Sequence, residues 1–244
     1  MNSMIEYLWF DLGYTLVKTD REEVYQDTLK VFQINKSRAE ITLAYHRTDK
    51  LFMREYQGVL GKDGRVYQPW YIGCLNYFLG VSLPIDDVIA AHRNVTAPGK
   101  LHWKAFDYTI PTLRSLRQKG YRLGLISNWN ETAREVLADN RLEEELDEII
   151  ISSEVGIEKP DPAIFEFALA KADVTAKQSL YIGDNYYDDV KGSQKVGMEC
   201  LLINPYGSQG IEELNYSQVI TSIQEVASYL ELMKSSVPKG QLIN

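Results

Sequence analysis

Cysteine and histidine are scarce in this chain of 244 residues, which holds two of the first and three of the second. Cys74 and Cys200 stand alone without a CxxC partner, so neither a disulfide framework nor a thiolate zinc site is expected. His46, His92 and His102 show no HExxH or other metal-ligand spacing. Positive charge is also short. The 26 Lys and Arg against 34 Asp and Glu leave −8, which opposes nucleic acid or an anionic membrane as the main partner. An anionic substrate would therefore need a local cation. No stretch approaches the ~18 consecutive apolar residues of a membrane span. Residues 1–10 carry Glu6 with neither a basic n-region nor a small-residue cleavage site, so the expected location is the cytoplasm. What is present is ordinary for a folded protein: 45% hydrophobic and 25% charged residues argue against a disordered or collagen-like chain. At about 100–200 residues per domain, the length suits one large domain or one domain with an inserted module.

Short apolar runs bounded by turns predict buried strands at residues 5–11, 121–127, 149–152, 179–183, 199–203 and 218–221. Helical patterns lie between them, at about 110–119, 130–139, 162–172, 188–196 and 222–233. This alternation implies right-handed crossovers and a parallel sheet covered on both faces. It is absent between about Val17 and Leu101, where helices are predicted at 22–32, 38–56, 67–78 and 86–94. A helical module thus follows the first strand, long enough to pack a small core of its own. The acidic run from Glu143 to Glu148 reads as a solvated helix end.

In open α/β sheets ligands collect beyond the carboxyl ends of the strands. Asp11-Leu-Gly-Tyr-Thr15 follows the first predicted strand and Ser127-Asn128 the second. The loop Gly156-Ile-Glu-Lys159-Pro-Asp-Pro162 follows the third, and Asp184-Asn-Tyr-Tyr-Asp188-Asp189 the fourth. Each string alone reads most simply as a turn, a cap or a solvated charge. Their joint occurrence in order, each just past a strand, is specific. Two carboxylate clusters, a hydroxyl and a lysine converge on one face.

On these residues the chain resembles the haloacid dehalogenase-like hydrolase superfamily along nearly its whole length. Phe10–Leu16, Leu125–Asn128, Glu158–Pro162 and Ile182–Met198 resemble the four motifs, and the helical insertion resembles the family's first type of cap. The resemblance implies a three-layer α/β/α Rossmann-like core from residues 1–17 and 101–244, with a mobile α-helical cap at 18–100. It implies Mg²⁺-dependent phosphoryl transfer on a small organophosphate. Asp11 would be the nucleophile that forms an aspartyl-phosphate. Asp11, the Gly13 carbonyl and Asp184 would hold Mg²⁺, with Asp189 or Asp188 on a metal-bound water. Lys159 would offset the nucleophile and phosphoryl charges, and Ser127, with Asn128 beside it, would donate to the phosphoryl group. The N–H groups of Leu12 to Thr15 would add an anion nest, Thr15 itself bracing the loop.

One position departs from the pattern. Phosphatases of this family usually carry a second aspartate two residues after the nucleophile, which protonates the leaving group, and here that residue is Gly13. Such an acid contributes ~10²–10⁴-fold. Four explanations compete: a substrate whose leaving group needs little protonation, such as an acyl or aryl phosphate; an acid from the cap, with Glu55, His46 or Lys50 as candidates; a phosphate-binding protein with little turnover; or a non-phosphatase branch. Within that branch, a metal-independent 2-haloacid dehalogenase has no use for the acids kept at Asp184, Asp188 and Asp189. A phosphonatase would need a cap lysine, for which Lys36, Lys50 and Lys62 are available and read as surface residues.

The string Gly58-Val-Leu-Gly-Lys-Asp-Gly64 lacks the spacing of a phosphate loop and reads as a cap turn near the site. Tyr14, Trp129, Tyr186 and Tyr187 flank the site as a candidate aromatic rim, read first as packing. The spacing of Tyr67, Trp70, Tyr71 and Tyr77 suggests a buried helix face in the cap. Hinges are expected near Thr19 and Gly99.

Overall fold

The structure, a computed structural model, describes residues 5–96 and 101–236, so Gly99 and the outermost ends of the expected core lie outside the described residues. Its strands are β1 (Tyr7–Phe10), β2 (Val17–Lys18), β3 (Lys104–Ala105), β4 (Arg122–Ser127), β5 (Glu148–Ile151), β6 (Ser179–Gly183), β7 (Glu199–Ile203) and β8 (Val219–Ile220). Six of them form one sheet in the order β5-β4-β1-β6-β7-β8, every neighbouring pair parallel. The order reverses about β1. The residue after β1 therefore sits at the topological switch point of the sheet, where a crevice opens between diverging connections.

Side-chain alternation along the strands divides the interior in two. Leu8, Phe10, Leu123, Leu125, Leu180 and Ile182 face one cluster, which α5 (Thr109–Gln118), α6 (Ala133–Asp139) and α10 (Val226–Ser236) help to close. Tyr7, Trp9, Ile126, Tyr181, Cys200 and Leu202 face the other, covered chiefly by α8 (Pro162–Ala172). With both faces covered, the central strands have no solvent side, which is why they read as continuous apolar runs. The protein has the three-layer Rossmann-like α/β/α fold expected of its sequence.

Four further helices, α1 (Arg21–Val31), α2 (Arg38–Glu55), α3 (Gly64–Leu79) and α4 (Ile85–Val95), follow β1 and β2. They enclose a third cluster that includes Tyr25, Leu29, Ile41, Phe52, Tyr71 and Leu75. Ser37 and Glu40 form a capping box at the start of α2. Tyr67 and Tyr71 turn inward as expected, but Trp70 and Tyr77 are 56% and 80% exposed, because the α3 contacts follow a narrower stripe than four aromatics can share. The chain enters and leaves this module through β2 and β3, an antiparallel pair too short for any alternation pattern to reveal. No helix among the described residues is long and apolar enough to cross a membrane.

Two differences from the sequence reading lie beside the crevice. The segment expected as a helix from 188 is a π-helical turn at Tyr186–Val190 that continues into α9 (Lys191–Lys195). The Asn185 side chain caps that turn, accepting from the N–H groups of Tyr187 and Asp188 at 3.0 and 3.3 Å. A four-residue helix, α7 (Ser152–Val155), follows β5 directly.

Gly124 of β4 lies under the stacked rings of Tyr7 and Trp9, whose centroids are 4.4 Å apart. A Cβ there would come 2.6 Å from Trp9 Cε3 and 2.8 Å from Tyr7 Cε1. Gly124→Ala is therefore expected to destabilise the protein by about 1–3 kcal/mol through overpacking. A thermal melt checks this, at about 2–4 °C per kcal/mol for a chain of this size; an unchanged midpoint would mean that the stack yields freely.

Candidate active site

The carboxyl end of the sheet brings residues from four separate segments around one ammonium group. Lys159 Nζ donates to Asp11 Oδ1 at 2.8 Å, Asp189 Oδ1 at 2.6 Å and Tyr181 Oη at 2.9 Å, which uses all three of its protons. Each partner is fixed by the fold. The Asp11 N–H continues the ladder to the Ile182 carbonyl at 2.9 Å. Tyr181 donates onward to the Ile126 carbonyl at 2.6 Å. Asn128 grips the main chain of Lys159, accepting from its N–H and donating to its carbonyl, both at 2.8 Å. Asp189 Oδ2 accepts from the Asn185 N–H at 2.9 Å, and a Cβ on Gly183 would collide with that carboxylate.

Lys159 and Asp189, 5% and 0% exposed, line a cleft of about 510 Å³ together with Asp11, Asp184 and Asp188. Burial disfavours the Lys159 ammonium, yet Asp11 and Asp189 hold its pKa well above the lysine range. Burial pushes the Asp11 pKa up, and Lys159 pulls against that rise. Burial likewise pushes Asp184 and Asp188 up to about 7 each, with neighbouring carboxylates adding to the effect. From the helical module, buried Lys50 reaches the same cluster. Its Nζ donates to the Asp184 carbonyl and stands 3.9 Å from Asp184 Oδ2.

Four carboxylates (Asp11, Asp184, Asp188, Asp189) thus face two ammonium groups (Lys50, Lys159), an excess of two negative charges when all are ionised. That excess and the hard oxygen donors fit a divalent cation such as Mg²⁺. Among the described residues no three His, Cys, Asp or Glu stand close enough to hold a metal by themselves. Mg²⁺ does not require it, since it is commonly held by one or two carboxylates and keeps several waters.

The residues singled out in sequence meet this geometry unevenly. Asp11, Asn128, Lys159, Asp184 and Asp189 gather as expected. Both Asp189 oxygens are engaged by protein donors, so it serves as the partner of Lys159, while only Oδ2 of Asp188 is bonded, by Asn185 at 2.8 Å. Asn128 uses its side chain on Lys159, which leaves only its main chain for a ligand. Ser127 Oγ is buried without a hydrogen-bond partner at the end of β4. Thr15 Oγ1 is also buried and unpartnered, so this hydroxyl does not brace its loop as expected. In the expected anion nest the Tyr14 N–H is taken by the Val17 carbonyl at 2.7 Å.

The cap candidates also separate. Glu55 is exposed and paired with Arg54 at 2.7 Å. His46 lines a second cavity on another side of α2, with its Nε2 2.8 Å from the Gln209 carbonyl. Lys50, read as a surface residue, is 6% exposed and sits on Asp184. Lys62 remains exposed and pairs with Glu158 at 3.5 Å across the cleft mouth. The turn at Gly58–Lys62 does line the cleft, as do Tyr14 and Trp129, but Tyr186 and Tyr187 pack together away from it. Met53, Tyr56 and Trp103 were not anticipated. Asp49, Met53 and Tyr56 recur at the spacing of one helix face, a signal that could have pointed to the first two of these.

Two outcomes follow from the charge pattern. Lys159→Met strands two buried carboxylates and is expected to cost about 3–5 kcal/mol, read from the denaturant midpoint; Asp189→Asn in that background should restore part of it. Asp184 keeps its proton to about pH 7 when folded but loses it near 3.8 when unfolded, so it lowers stability as pH rises between those values. In chelator, Asp184→Asn should raise the melting temperature more at pH 8 than at pH 5. An equal gain at both would contradict the burial of an ionisable group.

The model of the haloacid dehalogenase-like hydrolase family matches residues 8–203. The haloacid dehalogenase-like hydrolase domain-containing protein 3 of Mus musculus is 31% identical over 139 residues, 56% of this chain and 55% of that one. The chain thus spans about half the length of that relative. The glyceraldehyde 3-phosphate phosphatase of Pyrococcus furiosus is 30% identical over 238 residues, 93% of each chain. The solved structure of a HAD phosphatase from Thermococcus onnurineus shares the fold at a TM-score of 0.55 and 22% identity, over 93% of this chain and 98% of that one. With the family model spanning most of its length and Asp11, Lys159 and the acidic turn assembled at the carboxyl end of the sheet, the chain belongs to the haloacid dehalogenase-like hydrolase family.

Proposed function

We propose that the protein is a Mg²⁺-dependent hydrolase of a small phosphorylated metabolite, acting through an aspartyl-phosphate on Asp11. The observation that carries this reading is the Lys159 ammonium bound to Asp11 at 2.8 Å at the floor of the cleft. It opposes the rise in pKa that burial imposes on the carboxylate, holds it in one orientation and offers positive charge where phosphoryl oxygens would sit. Asp11 Oδ2 is then the oxygen that attacks phosphorus. Ser127 Oγ, buried without a partner, is a hydroxyl still able to donate to a phosphoryl oxygen. The glyceraldehyde 3-phosphate phosphatase among the relatives supports a small phosphorylated substrate.

Asp11, the Gly13 carbonyl and Asp184 would hold Mg²⁺, with Asp188 the freer of the paired acids to support a bound water. The metal, when bound, neutralises charge on the nucleophile and the phosphoryl group. Residues 18–100 act as the cap on a core of 1–17 and 101–244. Asp49, Met53, Tyr56 and Leu60 bring the cap to the cleft wall, where closure excludes water from the reacting atoms. Contacts of Arg54 with Glu213 at 3.2 Å and of Lys62 with Glu158 at 3.5 Å tie the cap to the core and would break on opening.

The test is phosphate release from a panel of phosphate esters and acyl phosphates with and without Mg²⁺. Asp11→Asn is expected to lower the Mg²⁺-dependent rate by ~10³-fold or more while leaving the fold intact. Full activity in that variant would remove Asp11 as nucleophile. Halide release from a 2-haloacid in chelator would select a dehalogenase, and Mg²⁺- and phosphate-dependent stabilisation without hydrolysis would select a binding protein.

A further inference from the structure

The position at which related phosphatases place their second aspartate is a glycine here, with aromatic rings packed beside it. A Cβ on Gly13 would lie 3.2 Å from Trp129 Cζ3 and 3.8 Å from Trp103 Cη2. The two indoles meet edge to face with centroids 4.7 Å apart, and Tyr14 meets Trp103 in the same way at 5.4 Å. All three line the cleft that Asp11 opens into. They are held in place: Trp129 Nε1 donates to Thr132 Oγ1 at 3.1 Å, its main-chain N–H donates to Ser152 Oγ at 3.1 Å, and the Trp103 carbonyl accepts from Asn140 at 2.9 Å.

No other carboxyl group in the cleft replaces the missing acid. Asp49 is tied to Arg21 and to the Tyr71 hydroxyl. Glu131 and Glu158 are exposed at the rim, the latter paired with Lys62. Asp189 is bound by Lys159, and Asp184 and Asp188, held by Lys50 and Asn185, are the acids assigned above to the metal and its water. Of the cap candidates, Glu55 and His46 do not line this cleft and Lys50 lies against Asp184. The side chains nearest Gly13 are thus indoles rather than a carboxylic acid.

We propose that the cleft takes the phosphate ester of a phenol or a comparable planar aromatic hydroxyl, with its ring against Trp129 and Trp103 and its oxygen leaving unprotonated. The proposal rests on the phosphatase reading above and names its substrate class. A phenol ionises near pH ~10, whereas water, a guide to alkanols, ionises near ~15.7. A phenolate therefore departs without the acid that an alkoxide requires. A planar ring also matches walls that offer offset or edge-on contact.

In the first step an Asp11 oxygen forms a bond to phosphorus, and the bond from phosphorus to the aryl oxygen breaks with its electron pair remaining on that oxygen. The phenolate later takes a proton from water. In the second step a water oxygen attacks the same phosphorus, the bond to the Asp11 oxygen breaks, and inorganic phosphate leaves as the water's proton passes to solvent. Gly13 provides no base for that attack, so the second step is the slow one.

The experiment compares phenyl phosphate, glycerol phosphate and acetyl phosphate, with phenolate release followed by stopped flow on the full chain with Mg²⁺. Acetyl phosphate has a leaving group that needs no proton and no ring to bind. The expected result is a burst of one phenolate per Asp11, with kcat/KM for phenyl phosphate ~10²-fold or more above that for glycerol phosphate, the span of a lost general acid. Trp129→Ala should raise KM for phenyl phosphate ~3–10-fold more than KM for acetyl phosphate; Trp129→Phe should keep most of the aryl preference. If Trp129→Ala fails to fold, Trp103→Ala reads the same loss. Gly13→Asp should narrow the aryl-to-alkyl ratio and remove the burst.

Equal turnover of glycerol and phenyl phosphate overturns the proposal while leaving the phosphatase reading standing. So does an aryl preference that both tryptophan variants retain, or a preference for acetyl phosphate with phenyl phosphate no better than the alkyl ester. Failure to release phosphate from any of the three, with Asp11→Asn indistinguishable from the parent protein, overturns the phosphatase reading and the proposal with it.

Discussion

The site depends on one buried ammonium group balanced between carboxylates from two segments far apart in the chain. Lys159 bonds Asp11 beyond β1 and Asp189 in the turn beyond β6, and its third proton goes to the Tyr181 hydroxyl. A buried charge is tolerated only when paired and hydrogen-bonded, so the position of each member limits the others. Gly183 leaves room for Asp189, Asn128 holds the peptide of Lys159, and the ladder from Asp11 to Ile182 sets the height of Asp11 above the sheet.

The sheet order explains why these groups meet. With β1 at the centre and successive crossovers departing to either side, the ends of β4, β1 and β6 surround one crevice. The same crossovers bury both faces of the sheet. The apolar strands that give the core its cohesion thus end together where the polar residues begin. The helical module closes the crevice from above. Its second helix delivers Lys50 to the Asp184 carbonyl and Met53 and Tyr56 to the cleft wall.

Much of this was legible before any coordinates. The short runs ending at Asp11, Ser127 and Gly183 declared buried strands, because a parallel sheet covered on both faces admits apolar residues at successive positions. The chemistry-bearing residues were legible too, since each lies within a few residues of a strand end. What escaped were pairings that depend on distance in space. The β2 and β3 ladder is two residues long on each side, and Trp103 belongs to a segment with no pattern of its own. Lys50 was misread as a surface lysine because a helical spacing reveals which residues share a face, not what that face meets.

The sequence by itself determined the alternation of strand and helix, the family resemblance and the identities of Asp11, Lys159, Asp184 and Asp189, because local periodicity and motif spacing are properties of the linear chain. Tertiary structure alone decided their division of labour. It engaged both Asp189 oxygens with protein donors, left the Ser127 hydroxyl buried and unpaired, and brought two indoles over Gly13. The reason is physical: burial, shared charge and contact between rings depend on separations of a few ångströms between residues scores of positions apart, and no local pattern encodes them.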